Sequence, residues 1–316
     1  MTLIKRPSEL NVQTTIKVLI YGQPGLGKTT LALSSPDPVL FDFDNGVHRI
    51  NAAHKVPTLQ ISSWDEVIET LQDNLSEFKT IVIDTAGKML DYMSAYIIRN
   101  DPKMGQRDGS LSLKGYGARK QMFINFLRQV SMMGKHIIFV AHEKEDKEGD
   151  QKIIRPEIGG SSANDMIKEL DLVGYMQAIG KDRTISFDPC EKFYGKNTCN
   201  LPSTIKIAKV VNENGIACGD NNFMASIFDS YQKYLKEQVD RAGEYEALID
   251  LIKINVEAIV NADTANEIVD KVLKFEHVWD SKLKAASMIS KRCAELGLKL
   301  NKLTKKYEDA KATTAA

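Results

Sequence analysis

The chain has 316 residues, 43% hydrophobic and 27% charged, which is the balance of an ordinary soluble globular protein with room for one large domain and a small one. Lysine plus arginine and aspartate plus glutamate each number 42, so no net field draws the chain to nucleic acid or membrane, and any polyanion contact must come from a local patch. The four cysteines (Cys190, Cys199, Cys218, Cys293) lack CxxC spacing, which argues against zinc, and no apolar stretch reaches the ~18 residues of a membrane span, so a soluble cytoplasmic protein with free thiols is expected.

Residues 1–15 are polar and read as an arm. An apolar run at 16–21 predicts the first buried strand. It leads into Gly22-Gln23-Pro24-Gly25-Leu26-Gly27-Lys28-Thr29, a complete phosphate-binding loop of the form GxxxxGK[ST], followed by a helix-prone stretch at 30–33. The glycines let backbone N–H groups turn inward around an anion, and the helix N-terminus adds partial positive charge. Gly22 to Thr30 are therefore the candidate nucleotide site. Lys28 is expected to reach the β- and γ-phosphates, and Thr29 to hold a magnesium ion.

A second strand is predicted at 39–43, closing on Asp42 and Asp44. Ser63-Trp64-Asp65-Glu66 has the form of a capping box, opening a helix to residue 75. A third strand at 80–83 ends in Asp84, a carboxylate suited to the magnesium opposite Thr29. Helical periodicity covers 88–98 and 118–132. Another strand at 136–141 ends at His142, and strands follow at 172–178 and 184–187. Strands alternating with helices imply a mostly parallel sheet covered on both faces. Ligands in such sheets sit outside the carboxyl ends of the strands, where the phosphate loop, Asp44, Asp84 and His142 all fall. Hydrolysis needs a group to orient or deprotonate water; Asp44 is the first candidate and Asp42 the second. His142 is placed to touch the γ-phosphate and report it to the loop behind. Asp84-Thr85-Ala86-Gly87 mimics the DxxG of GTPases, but no [NT]KxD motif follows, so ATP is expected rather than GTP.

Two long loops leave the same edge. Residues 100–115 carry Lys103, Arg107 and Lys114, with Tyr116 after them; residues 144–165 carry Lys144, Lys147, Lys152 and Arg155, then Gly159-Gly160-Ser161-Ser162. Cations on a flexible backbone suit single-strand phosphates. The second loop also holds five carboxylates between 143 and 150, which suits a solvated hairpin equally well. From about residue 222 strand signals fade, and helices are predicted at 223–238, 245–260, 265–276 and 281–298. The expected organisation is an arm (1–15), a core (16–237), a linker near 238–244, a helical module (244–309) and a disordered tail (310–316). The lysines near the end read as a solvated helix face or an auxiliary nucleic-acid patch.

The order of these pieces resembles the RecA core. Residues 39–44 resemble the strand bearing its catalytic glutamate, with Asp44 in that place. Residues 137–142 resemble the strand ending in its γ-phosphate-sensing glutamine, with His142 there. Gly117-Ala118-Arg119-Lys120 resembles the segment after the first DNA-binding loop, residues 159–164 the end of the second, and Lys196-Asn197 the turn whose lysine reaches the neighbouring subunit's ATP. The histidine and the Lys-Asn turn followed by Leu201-Pro202 are similar to the compact phage RecA-like single-strand annealing ATPases. The resemblance spans about residues 15–210. It implies an α/β RecA-like P-loop core with a small helical C-terminal module. It further implies magnesium-dependent ATP hydrolysis, slow and DNA-stimulated, with Asp44, Lys28 and His142 catalytic, Lys196 cofactor-binding, and Thr29 and Asp84 on the metal. It also implies annealing or exchange of single-stranded DNA alongside a single-strand-binding protein, a ring or filament of copies, and a phage protein in the host cytoplasm. Aspartate at 44 is one methylene shorter than glutamate, Thr198 stands where RecA has a second lysine, and no large N-terminal oligomerisation domain is present. Two other readings stand beside it: a helicase-loader or motor-type P-loop ATPase, and a nucleotide-gated interaction module without significant hydrolysis.

Overall fold

A computed structural model describes residues 3–11, 14–73, 75–149, 151–159, 162–180 and 182–309. The chain divides into two units, one of residues 13–234 and one joining residues 1–12 to 235–316.

In the first unit the apolar runs become strands of one sheet. They are β1 (Lys17–Gly22), β2 (Pro38–Asp42), β3 (Thr58–Gln60), β4 (Thr80–Asp84), β5 (His136–Glu148), β6 (Gln151–Pro156), β7 (Leu172–Ile179), β8 (Asp182–Ser186), β9 (Lys196–Asn197) and β10 (Thr204–Ile207). The order across the sheet is β10-β8-β7-β1-β5-β4-β2-β3, with β6 on β5 and β9 on β7. Pairing is parallel from β7 through β1, β5, β4 and β2 to β3, and antiparallel for the rest. In a parallel sheet both faces are covered, so strands are apolar throughout rather than alternating. Leu19 and Tyr21 point into one core with Phe41, Ile83 and Phe139, while Val18 and Ile20 point the other way and are equally buried.

The helices of this unit are α1 (Lys28–Ala32), α2 (Trp64–Thr70), α3 (Ala86–Asn100), α4 (Leu113–Met132) and α5 (Ser162–Glu169). Trp64 meets Phe126 edge-on, with ring centroids 5.7 Å apart, and Phe123 meets Phe139 at 5.8 Å, tying α2 and α4 to the sheet. Helix α2 stops at Thr70, short of residue 75. The expected capping box is shifted by one: Ser63 makes no side-chain cap, and Glu66 instead accepts from the backbone N–H and hydroxyl of Ser62. Ser62 is the residue whose N–H the Glu66 side chain reaches, so it takes the reciprocal role.

His136 opens β5 and is buried. Its Nδ1 accepts from the Ile16 N–H at 3.1 Å, and its ring lies 4.5 Å from that of Phe228. Burial pushes its pKa from 6.5 down to about 4, with Lys79 nearby acting the same way. The unfolded chain takes up this proton near pH 6.5 and the folded one only near 4, so its stabilising contribution is complete above about 6.5 and declines as pH falls toward about 4. The loss amounts to at most about 3 kcal/mol. His136→Asn keeps an acceptor for Ile16 without titrating. Denaturant midpoints at about pH 7.5 and about pH 5 should separate less for this variant than for the wild type; equal separations would exclude the histidine as the source.

Helix α6 (Phe223–Glu257) begins in the first unit and ends in the second. Residues 238–244, expected as a linker, lie inside it. Gly243 costs an otherwise good helix only about 1 kcal/mol, and Ala242 beside it is buried. The second unit continues with α7 (Ala262–Val272), α8 (Ser281–Glu295), β11 (Lys299–Leu300) and β12 (Tyr307–Glu308), around a core of Ile252, Ile259, Ala265, Ile289 and Cys293. The N-terminal segment is no free arm: Ser8 donates to Glu246 at 2.5 Å and Arg6 pairs with Asp250 at 3.3 Å. The tail at 310–316 and Gly160-Ser161 lie outside the described residues.

Candidate nucleotide site

Register brings the chemistry-bearing residues to one edge. Gly22 pairs with His142, and Asp84 pairs with Asp42 on one side and Val140 on the other. Strand β5 therefore sets His142 between the phosphate loop and Asp84. The loop needs glycine at Gly22, where a Cβ would lie 2.2 Å from the Met176 carbonyl oxygen, and at Gly27, where φ is +81° and Arg183 presses within 2.8 Å of the missing Cβ.

Lys28 is buried and donates to the carbonyls of Gly22 at 2.9 Å and Gln23 at 2.7 Å. Burial pulls its pKa down, against the pull of Asp84 and Glu143. The Thr29 hydroxyl donates to Asp84 Oδ2 at 2.7 Å. Burial pushes the Asp84 carboxyl up, Asp42 and Asp44 add to that, and Thr29 and Lys28 oppose it. A cation beside such a carboxylate would relieve the cost of its ionisation. The Asp84 carbonyl also accepts from the N–H groups of Phe43 and Asp44, at 2.7 and 3.2 Å, and so positions Asp44.

A cleft of about 240 Å³ is bounded by Pro24, Gly25, Gly27, Lys28, Thr29 and Thr30 on the loop side, and by Asp44, Asp84 and His142 opposite. A larger groove of about 590 Å³ also touches Asp44, but Trp64, Tyr92 and Tyr96 line it and no phosphate-binding backbone reaches it. The smaller cleft is the one with the right chemistry. Its glycine backbone, ammonium and hydroxyl–carboxylate pair fit a triphosphate with a hard cation. Magnesium is commonly held by one or two protein oxygens plus substrate phosphates, and the Thr29 hydroxyl and Asp84 carboxylate are oxygens of that kind, 2.7 Å apart. Buried His142 Nδ1 has no hydrogen-bond partner, the mark of a polar atom built for something else.

Some expectations need correction. Asp42, the second candidate for the water-positioning group, is fully buried and spends both oxygens on the N–H groups of Gly46 and Val47, at 3.0 and 2.9 Å. It caps a turn. Lys196, expected to reach a neighbouring copy's nucleotide rather than its own, pairs with Val173, below the level of Gly22, and its ammonium reaches the carbonyls of Ile167, Lys168 and Leu170. It closes the C-terminus of α5, where a cation is favoured. Gln23 and Leu26 belong to the loop but do not line the cleft; the Leu26 carbonyl accepts from Arg183 at 2.9 Å.

Residues 144–165 do not form an open loop. Strand β5 runs on past His142 and folds back as β6, a ribbon paired from Glu143–Pro156 to Glu148–Gln151. Helix α5 follows from Ser162. Three of the ribbon's cations pair within it: Lys144 and Arg155 with Asp146, Lys152 with Glu145. The ribbon returns to His142, since Glu157 N–H donates to the His142 carbonyl at 2.7 Å.

Residues 101–112 form a compact turn. Helices α3 and α4 run antiparallel, with Arg119 donating to Ser94 and Gly115 close under the Met104 carbonyl. Because α4 ends where β5 begins, this turn projects on the carboxyl-edge side. Lys103, Arg107 and Lys114 are exposed on it, with Leu113 and Tyr116, and Arg119 lies 5.0 Å over the Tyr116 ring.

Three residues escaped the sequence reading. Arg49 pairs with Asp44 at 3.1 Å and borders the cleft. Arg183 braces the loop from β8. Glu143, counted only as a hairpin acid, has a buried Oε2 without a partner and lies near Lys28 and Tyr175. Glu143 alone had a signal, adjacency to the sensor position; the two arginines sit in loop and edge-strand contexts that mark nothing.

No curated protein matches the chain. Solved structures it is similar to include a KaiC-like protein from the hyperthermophilic archaeon Pyrococcus horikoshii, at 12% identity over 54% of this chain and 77% of that one, with a TM-score of 0.34, a likeness too slight to carry an argument. Residues 14–199, more than half of the chain, match the family model described as an AAA domain. No helix among the described residues is long and apolar enough to cross a membrane. With the phosphate loop, the carboxylate-ended strand β4 beyond β5 and the AAA-domain match all in the same 186 residues, the chain belongs to the AAA domain family and has the core of a P-loop ATPase.

Proposed function

We propose that this ATPase uses ATP with magnesium to control its grip on single-stranded DNA, and so promotes annealing or strand exchange. Thr29 and Asp84 would hold the metal, which would supply charge neutralisation at the β- and γ-phosphate oxygens. Lys28 and the loop amides bind the phosphates, Asp44 orients water, and His142 reads the terminal phosphate. The observation that carries this reading is the pairing of Gly22 with His142, which makes the phosphate loop and the root of the ribbon neighbours. A ring or filament of copies, and work beside a single-strand-binding protein, belong to the same proposal through the RecA-like core.

The turn at 101–112 supports strand contact better than the ribbon does. Lys103 and Arg107 on it, and Lys114 at the head of α4, make no ion pair with a described residue, and Leu113 (92% exposed) and Tyr116 (42%) offer apolar and aromatic surface beside them. Such a mixture suits phosphates and unstacked bases. The combined change Lys103→Ala, Arg107→Ala, Lys114→Ala should weaken single-strand binding by about 10-fold or more, flatten its salt dependence and remove DNA stimulation of turnover, while DNA-free turnover stays put. Anisotropy with a labelled oligonucleotide at several salt concentrations checks this. Undiminished binding would refute this placement of the strand.

Asp44→Asn should cut turnover by about 10²–10⁴-fold with little change in ATP affinity, measured by phosphate release and by equilibrium binding. The ion pair to Arg49 also favours a second reading, a nucleotide-gated module with negligible hydrolysis, because an arginine on the carboxylate competes with water. Turnover that is undetectable with and without DNA, and unchanged in Asp44→Asn, would favour that reading.

A further inference from the structure

The second unit segregates its charge. Residues 235–280 carry five lysines and arginines against eleven carboxylates, whereas residues 281–308 carry eight against two. The cationic part is α8 and the hairpin of β11 and β12. Helix α8 buries Ser281, Ala285, Ile289 and Cys293, so its opposite face presents Leu283, Ser287, Lys291 and Ala294. That face is low and lets a bulky partner come close.

The hairpin is anchored and its tip is shaped. Tyr307 packs on the helical core, with its hydroxyl near Ser290 and Cys293 of α8. Asn266 of α7 bonds both the N–H and the carbonyl of Tyr307. At the tip the Asn301 side chain accepts from the N–H groups of Leu303 at 2.9 Å and Thr304 at 3.3 Å, and Lys305 adopts φ +56°. This fixed turn leaves Lys302, Lys305 and Lys306 exposed, with Leu303 95% exposed between them. Lys284 and Arg292 have carboxylate partners, but Lys282, Lys291, Lys299, Lys302, Lys305 and Lys306 pair with no described carboxylate.

We infer that α8 and this hairpin form a second nucleic-acid site, one that takes duplex DNA by its backbone. Unpaired lysines on an ordered surface bind phosphates by releasing counterions. Duplex is favoured over single strand because the stretch 281–308 holds one aromatic residue, Tyr307, and its ring is committed to the core. Nothing on the hairpin can stack on unpaired bases, which is how single strands are usually held; the exposed Trp279 precedes α8 at its other end and packs on Tyr245. An exposed leucine between lysines at a hairpin tip suits contact in a minor groove.

The test uses the full chain without nucleotide, so it does not depend on the core's proposed ATP-controlled site. The probe is a labelled blunt duplex, titrated at several salt concentrations. The wild type and Lys28→Ala should bind it equally. The fourfold variant Lys299→Glu, Lys302→Glu, Lys305→Glu, Lys306→Glu should bind at least about 10-fold more weakly, with a salt slope shallower by about three to four. ATP turnover and thermal midpoint should not move, because all four side chains are exposed. The fourfold glutamine variant should fall between. Duplex affinity within twofold of wild type would overturn the inference, and so would loss of self-association in the variant with duplex binding intact, which would mark the patch as a contact between copies.

Discussion

Lys28→Ala is expected to lower ATP turnover by about 10²–10³-fold or more, since it removes a preorganised cation from the point where charge develops on the transferring phosphate. Phosphate release at saturating ATP measures it. The ammonium is held by the carbonyls of Gly22 and Gln23, so its removal also strands two acceptors, at about 1–3 kcal/mol. A thermal melt separates that structural loss from the catalytic one. Turnover within a few-fold of wild type, in a folded variant, would mean the loop does not act on the nucleotide.

His142→Ala should behave differently. ATP affinity should stay near wild type, because the loop amides, Lys28 and Thr29 are untouched. DNA stimulation of turnover should disappear, a loss of coupling on the order of 1–3 kcal/mol, or about 5–150-fold. The reason is positional. The His142 side chain borders the cleft while its carbonyl takes the Glu157 N–H where the ribbon rejoins the core, so one residue touches both partners in the switch. The check compares turnover against oligonucleotide concentration for both proteins. Full stimulation in the variant would assign the coupling elsewhere, with Glu143 the next residue to change.

Local chemistry explains which features the sequence made legible. The phosphate loop, the apolar strands and Asp84 are each specified by residues adjacent in sequence, so the fold and the loop side of the cleft could be read directly. Asp42 and Asp44 look alike in sequence, two apolar-strand carboxylates two residues apart. Only the turn at Gly46-Val47 shows that Asp42 is consumed by backbone N–H groups while Asp44 faces the cleft. Lys196 was read through a resemblance, and the structure gives its ammonium to the end of α5. The ribbon read as a solvated hairpin or a flexible loop alike, because residues 143–148 are an unbroken charged run with no alternating apolar face to mark a strand. Arg49 and Arg183 act through three-dimensional proximity alone, across gaps in sequence that no pattern bridges.

The account stands or falls on the terminal phosphate changing the grip on DNA. The direct measurement is the affinity of the wild-type chain for a labelled single-stranded oligonucleotide, with magnesium and either a non-hydrolysable ATP analogue or ADP. The analogue should give binding about 5–150-fold tighter than ADP. Equal affinity in the two nucleotide states would contradict it.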